Sequence, residues 1–251
     1  MENVTALEVS HLGYRYPDGT EALRDVSFTI AEGERVGLIG PNGAGKSTLL
    51  LHFNGLLPER TVASTPVRVF GTPVAEPHLP AIRAQVGLLF QDPDDQLFCP
   101  TVGEDVAFGP QQLGLKGSDL SARVARALEQ VGLRGFEQRP PFHLSRGEKR
   151  RVCLAGLLAC EARLLILDEP TSDLDPRGRR ELKALLRDLP VTQLIATHDL
   201  ELVVEICPRV IVLDHGSVIA EGQTTDLLSN ESLMLQHGLE KPHILRHAHP
   251  H

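Results

Sequence analysis

Eight consecutive residues, Gly40-Pro41-Asn42-Gly43-Ala44-Gly45-Lys46-Ser47, fit the pattern G-x-x-x-x-G-K-[ST], and Thr48 follows them. The chemistry this pattern favours is capture of a polyphosphate. Glycines let successive backbone N–H groups turn inward around phosphate oxygens. Lys46 supplies positive charge to the β- and γ-phosphates, and Ser47 a hydroxyl for Mg²⁺. A second reactive feature is the pair Asp168-Glu169, which ends the apolar run Leu164-Leu165-Ile166-Leu167. An aspartate at the carboxyl end of a buried strand suits Mg²⁺ held through water, and the glutamate beside it suits a general base acting on water. Alone, the pair would read as two solvated acids; a phosphate loop upstream changes that reading. A third feature is Leu144-Ser145-Arg146-Gly147-Glu148, where Ser145 and Glu148 form a capping box. Such a box marks a helix start, which is an anion site by virtue of its free N–H groups and dipole.

These residues need elements to hold them. The phosphate loop follows a strand predicted over 35–39 and precedes a helix from about Lys46. Upstream, strands are expected over 4–9 and 26–30, with a strand pair broken by the turn Pro17-Asp18-Gly19. Further strands are expected over 61–70 and 85–90. Residues 92–142 change character, with Pro, Gly and Asp clusters and one amphipathic helix near 121–131. A helix then runs from 145 to about 160, followed by strand 164–167, helix 176–188, strand 191–196, a helix from about 199 and a hairpin of strands 209–213 and 217–220. Strands alternating with helices after the phosphate loop predict an α/β fold.

Composition removes several function classes. The formal net charge of −8 argues against nucleic acid as a partner, because phosphate contacts need a basic face. The hydrophobic fraction of 41% and charged fraction of 23% are ordinary for a globular protein. Cys99, Cys153, Cys160 and Cys207 lie far apart and read as idle thiols of a reducing compartment. No apolar run reaches the roughly 18 residues of a membrane span, and the start, Met1-Glu2-Asn3, is polar. The expectation is a cytoplasmic protein whose membrane role, if any, comes through a partner.

The order of phosphate loop, Leu-Ser-x-Gly-Glu segment and apolar strand with Asp-Glu resembles the ATP-binding cassette (ABC) family, over roughly residues 6–225. The resemblance implies a P-loop NTPase core of RecA-like type with an antiparallel β subdomain and an inserted α-helical subdomain. It implies a cassette over 1–236, with the core at about 1–91 and 162–225, the helical subdomain at about 92–161, and a His-rich tail at 237–251. It also implies ATP and Mg²⁺. Tyr16 resembles the aromatic residue that stacks on adenine, Gln91 the glutamine that senses Mg²⁺ and the transmembrane partner, and His198 the switch histidine on the γ-phosphate. Ser145 and Gly147 would contact the γ-phosphate of ATP held by a second cassette, and Ser172-Asp173-Leu174-Asp175 would cross that interface. Arg146 departs from the family, which usually has glycine there; it adds bulk, or a second charge near phosphate.

The stretch Phe90-Gln91-Asp92-Pro93-Asp94-Asp95-Gln96-Leu97-Phe98, with Pro100-Thr101-Val102 and Glu104-Asp105-Val106-Ala107-Phe108-Gly109-Pro110 after it, resembles the energy-coupling-factor type. That type drives importers of vitamins and of cobalt or nickel ions. It implies a second cassette ATPase subunit, a transmembrane coupling protein, a substrate-binding membrane protein and a peripheral place on the cytoplasmic face of the membrane. The alternatives are a vitamin importer, another ABC transporter or a soluble cassette ATPase. His237, His243, His247, His249 and His251, five of 11 histidines, crowd the tail, and imidazole suits Ni²⁺ and Co²⁺. A solvated terminus is the plainer reading of the same residues.

Overall fold

A computed structural model describes residues 4–58 and 65–246. Along the chain the elements are β1 (Thr5–Arg15), β2 (Glu21–Ala31), β3 (Arg35–Ile39), α1 (Lys46–Leu51), β4 (Val67–Val69), β5 (Thr72–Pro73), α2 (Leu79–Gln85) and β6 (Val86–Leu89). Then come α3 (Val102–Gln112), α4 (Gly117–Gln130), α5 (Arg146–Ala159), β7 (Leu164–Asp168) and α6 (Pro176–Asp188). The last are β8 (Thr192–Ala196), α7 (Leu200–Ile206), β9 (Arg209–Asp214), β10 (Ser217–Gln223), α8 (Thr224–Ser229), α9 (Glu231–Gln236) and α10 (His243–Arg246). The chain divides into two compact units, one of residues 1–83 with 192–251, and one of residues 84–191 inserted into it.

The first unit contains an antiparallel sheet in the order β2-β1-β4-β5. Along β2, Val26, Phe28 and Ile30 are buried while Asp25, Ser27 and Thr29 are exposed, the alternation of a half-buried strand. The strands expected over 4–9 and 26–30 are parts of one long hairpin, β1 with β2, rather than separate pieces. Bulges explain the difference. His11 and Asp25 take positive φ values of 56° and 51°, the register shifts there, and their side chains pair at 2.6 Å. A polar interruption therefore bends the strands without ending them. The strand expected over 61–70 is ordered as β4 over Val67–Val69, and residues 61–64 lie outside the described residues.

The same unit holds β3 between β9 and β8, parallel to both, with β10 antiparallel on β9. β3, β8 and β9 are covered on both faces, and their apolar residues are inaccessible: Val36, Leu38, Ile39, Leu194, Ile195, Ala196, Val210 and Ile211 are buried. Gly37 is there for closeness. A Cβ on it would lie 2.8 Å from Val203 Cγ1 of α7, so its absence lets α7 seat against β3.

In the second unit β6 and β7 pair in parallel and α3, α4 and α5 pack together. Thr101 and Glu104 cap α3 by a capping box, Ser145 and Glu148 cap α5 in the same way, and Asp175 caps α6 ahead of Pro176. Helix α3 is hard to see in the sequence, because Gly103, Gly109 and Pro110 all lower helix propensity. Packing overrides them: a Cβ on Gly109 would meet Cys160 Sγ at 2.3 Å, so glycine allows α3 to approach. All four cysteines are free thiols, and burial pushes Cys153 and Cys207 up to about 12, which keeps them protonated. Among the described residues no helix is long and apolar enough to cross a membrane.

The Gly37 contact yields a test. Gly37→Ala should lower unfolding free energy by about 1–3 kcal/mol, as overpacking does. Urea unfolding of the full chain measures it, and Val203→Ala in the same chain should recover part of the loss.

Candidate functional site

In the first unit, β3 ends at Ile39 and the chain turns at once into the loop 40–47. Two glycines there are required by space. A Cβ on Gly40 would lie 2.0 Å from Leu213 O, and one on Gly45, whose φ is 101°, would lie 2.6 Å from Ala22 O. The loop is thus pressed against the β9–β10 hairpin and β2, and Gly216 N donates to Ala44 O at 3.0 Å. Asn42, Gly43 and Ser47 are exposed, while Lys46 is buried. Lys46 Nζ donates to Gly40 O at 2.7 Å and Pro41 O at 3.0 Å, so its ammonium sits under the loop at the start of α1. A buried ammonium at a helix start suits an anion, and this loop fits a polyphosphate.

Tyr16 leaves β1 just before the turn and is tied to α1: its hydroxyl lies 2.9 Å from Thr48 Oγ1. Its ring meets Tyr14 edge to face at 5.0 Å, and Tyr14 meets His52 at 4.9 Å. His198 follows β8. Thr197 N donates to Leu38 O at 3.1 Å, so the His198 turn and the phosphate loop leave neighbouring parallel strands at the same carboxyl edge. Asp199 then caps α7 by accepting from Leu202 N.

In the second unit Leu89 of β6 stands in register with Leu167 of β7. Gln91 and Glu169 therefore both lie two residues past a paired position, at one carboxyl edge. Asp168 and Glu169 are 8% and 7% exposed, against an exposed Gln91. Glu169 has a φ of 47°, in the left-handed region that a branched or long side chain adopts at a cost in strain. Its carbonyl accepts from Ser172 Oγ at 2.9 Å, Ser172 N at 3.2 Å and Arg150 Nη1 at 2.8 Å.

Ser145 and Gly147 open α5. Ser145 Oγ and Ser145 N donate to Glu148 Oε2 at 2.7 and 2.8 Å, and these two bonds hold the Glu148 carboxyl below its ordinary pKa, while Ser145 Oγ accepts from Glu148 N at 3.3 Å. A Cβ on Gly147 would come 3.1 Å from Leu174 Cδ2. Ser145, Gly147, Asp173, Leu174 and Arg177 line an open cleft of about 670 Å³. Arg146 turns back onto its own unit: its guanidinium pairs with Asp92 Oδ2 at 3.2 Å and Asp173 Oδ2 at 3.4 Å. Of the two expectations for this residue, added bulk or added phosphate charge, the geometry favours a charge that is already compensated.

One residue at this edge carries no signal in the sequence. Arg150 reads there as one of three basic residues in Lys149-Arg150-Arg151, yet it is 1% exposed. Its Nη2 donates to Gln91 O at 2.7 Å and Ser172 Oγ at 3.1 Å. Burial pulls its pKa down, but from so high a starting value that the group keeps its charge.

A glycine-cradled lysine after a buried parallel strand and an Asp-Glu pair at the end of another define a nucleoside triphosphatase of the phosphate-loop class. The ABC transporter family profile matches residues 23–172, and the chain belongs to that family. It is the ATP-hydrolysing subunit of an energy-coupling-factor-type ABC transporter. Among its relatives, the energy-coupling factor transporter ATP-binding protein EcfA of Carboxydothermus hydrogenoformans is 46% identical, covering 96% of this chain and 89% of that one. EcfA of Methanothermobacter thermautotrophicus is also 46% identical, over 94% of this chain and 76% of that one. The structure of cbiO1 from Clostridium perfringens, part of the ABC transporter complex cbiONQ, superposes with a TM-score of 0.81 at 37% identity over 98% of both chains.

The loop geometry yields a second test. Lys46→Ala removes the buried ammonium, and binding of a fluorescent ATP analogue at micromolar concentration should be lost. Undiminished binding would show that the loop amides suffice.

Proposed function

We propose that the chain drives import of a transition-metal ion, cobalt or nickel, as one cassette of an ATP-closed pair. The motor reading is carried by one observation: a buried lysine in a glycine loop and a buried Asp-Glu pair each stand at the carboxyl end of buried parallel strands. In this reading residues 40–48 cradle the phosphates of ATP, with Lys46 on the β- and γ-phosphates, and Tyr16 stacks on adenine. Ser145 and Gly147 contact the γ-phosphate of ATP held by the second cassette. Glu169 takes the proton of the attacking water as general base, and His198 contacts the γ-phosphate, so that ATP and water give ADP and phosphate. Ser47, Gln91 and Asp168 would hold Mg²⁺, a hard cation suited to hydroxyl, amide and carboxylate oxygens, which neutralises phosphate charge.

Closure of the pair moves the helical subdomain, about 92–161, and Gln91 passes that motion to a transmembrane coupling protein that works with a substrate-binding membrane protein. The cassette lies at the cytoplasmic face as a peripheral subunit. The metal cargo rests on the energy-coupling-factor resemblance and on the histidine-rich tail. Within that tail His237 is engaged, 2.8 Å from Asp214, and His247, His249 and His251 lie outside the described residues.

Two measurements test these readings. Glu169→Gln should bind ATP, hydrolyse it at least about a hundredfold more slowly and accumulate as a closed dimer, and hydrolysis at the normal rate would remove Glu169 as base. A tagged chain recovered from native membranes should bring a coupling protein and a small membrane protein with a histidine-rich site. A vitamin-binding partner would keep the importer and discard the metal.

A further inference from the structure

Two loops of the second unit, after β6 and after β7, converge on Arg150, a side chain that none of the motifs contains. The residue lies one turn inside α5, the helix that Ser145 opens, and is almost wholly buried. One nitrogen donates to Glu169 O, and the other donates to Gln91 O and to Ser172 Oγ. Ser172 Oγ in turn donates to Glu169 O, closing a ring of bonds around the peptide that follows Glu169. That peptide holds Glu169 at a φ of 47°, a conformation that persists only where the surroundings over-determine it.

We propose that Arg150 is a positioning residue: its guanidinium locks the Gln91 segment and the loop carrying Glu169 and Ser172 to α5, fixing the carboxylate of Glu169 and making a displacement at Gln91 felt there. The proposal rests on Glu169 being the base, as read above. Arginine suits the task because its planar fork reaches several acceptors at once and keeps its charge when buried, whereas lysine offers a single point. The three acceptors lie on two loops far apart in sequence, Gln91 after β6 and Glu169 with Ser172 after β7. Arg150 touches neither phosphate nor water in this account; it acts through Glu169.

The test compares Arg150→Met, Arg150→Lys and Glu169→Gln in the full chain. ATPase kcat, the KM for ATP, ATP-analogue affinity and the thermal melt are measured for each. Arg150→Met keeps the length and apolar stem but removes every donor. Its kcat should fall about tenfold or more with KM and affinity within about threefold, since small misplacements of a reacting group weaken turnover steeply. Arg150→Lys should recover part of kcat. In the Glu169→Gln background Arg150→Met should add no further loss, because it acts only through Glu169. A wild-type kcat in Arg150→Met, or an independent further loss in the double variant, would overturn the proposal. If Arg150→Met does not fold, Arg150→Lys and Ser172→Ala carry the test: both should lower kcat at unchanged affinity, and wild-type kcat in both would refute the lock. A normal rate in Glu169→Gln alone would instead remove the base assignment, a distinct failure.

Discussion

Burial of parallel strands on both faces is the constraint from which the rest follows. In β3, β8, β6 and β7 the ladder consumes the backbone groups, and almost every side chain is apolar and inaccessible. Nothing along these strands can meet a charged ligand. Chemistry is therefore confined to the residues where a strand stops, and the carboxyl ends are where Gly40, His198, Gln91 and Asp168-Glu169 stand. Gly37 belongs to the same constraint, since a strand this deeply covered leaves no room for a Cβ beneath α7.

Strand ends deliver residues but do not aim them. Each end here is held by close approach or by hydrogen bonds. The phosphate loop is aimed by glycines that press it onto Leu213 and Ala22, and its lysine by two loop carbonyls. The Asp-Glu end is aimed by a strained backbone at Glu169 whose carbonyl takes bonds from Ser172 and Arg150. A left-handed glutamate is costly, so the bonds that hold it there are part of what makes the geometry unique.

The start of α5 illustrates how a departure from family pattern is absorbed. Arginine where glycine is usual would add charge to an anion-binding edge, but Asp92 and Asp173 take that charge up. Both carboxylates and the guanidinium are about half exposed, so the pairs orient the side chain more than they stabilise the fold. Ser145 and Gly147 keep their places beside it, with the capping box intact.

Local chemistry was legible from the sequence alone. The phosphate loop, the capping box at Ser145 and Glu148, the apolar strand before Asp168 and the helix over 176–188 each depend on residues a few positions apart. Spacing, propensity and hydrogen-bonding capacity act at that range, so the α/β class and the ABC family could be read directly. Tertiary structure decided what depends on distant residues. The bulges at His11 and Asp25 join what read as two separate strands and a strand pair between them into one hairpin, because a cross-strand pair tolerates what each strand alone would not. Helix α3 forms despite Gly103, Gly109 and Pro110, because the glycine at 109 lets it approach Cys160 in the neighbouring segment. Arg150 joins residues 59 and 19 positions away, and no short-range pattern encodes such a contact. Burial alone turned an ordinary basic residue into the point where two distant loops meet.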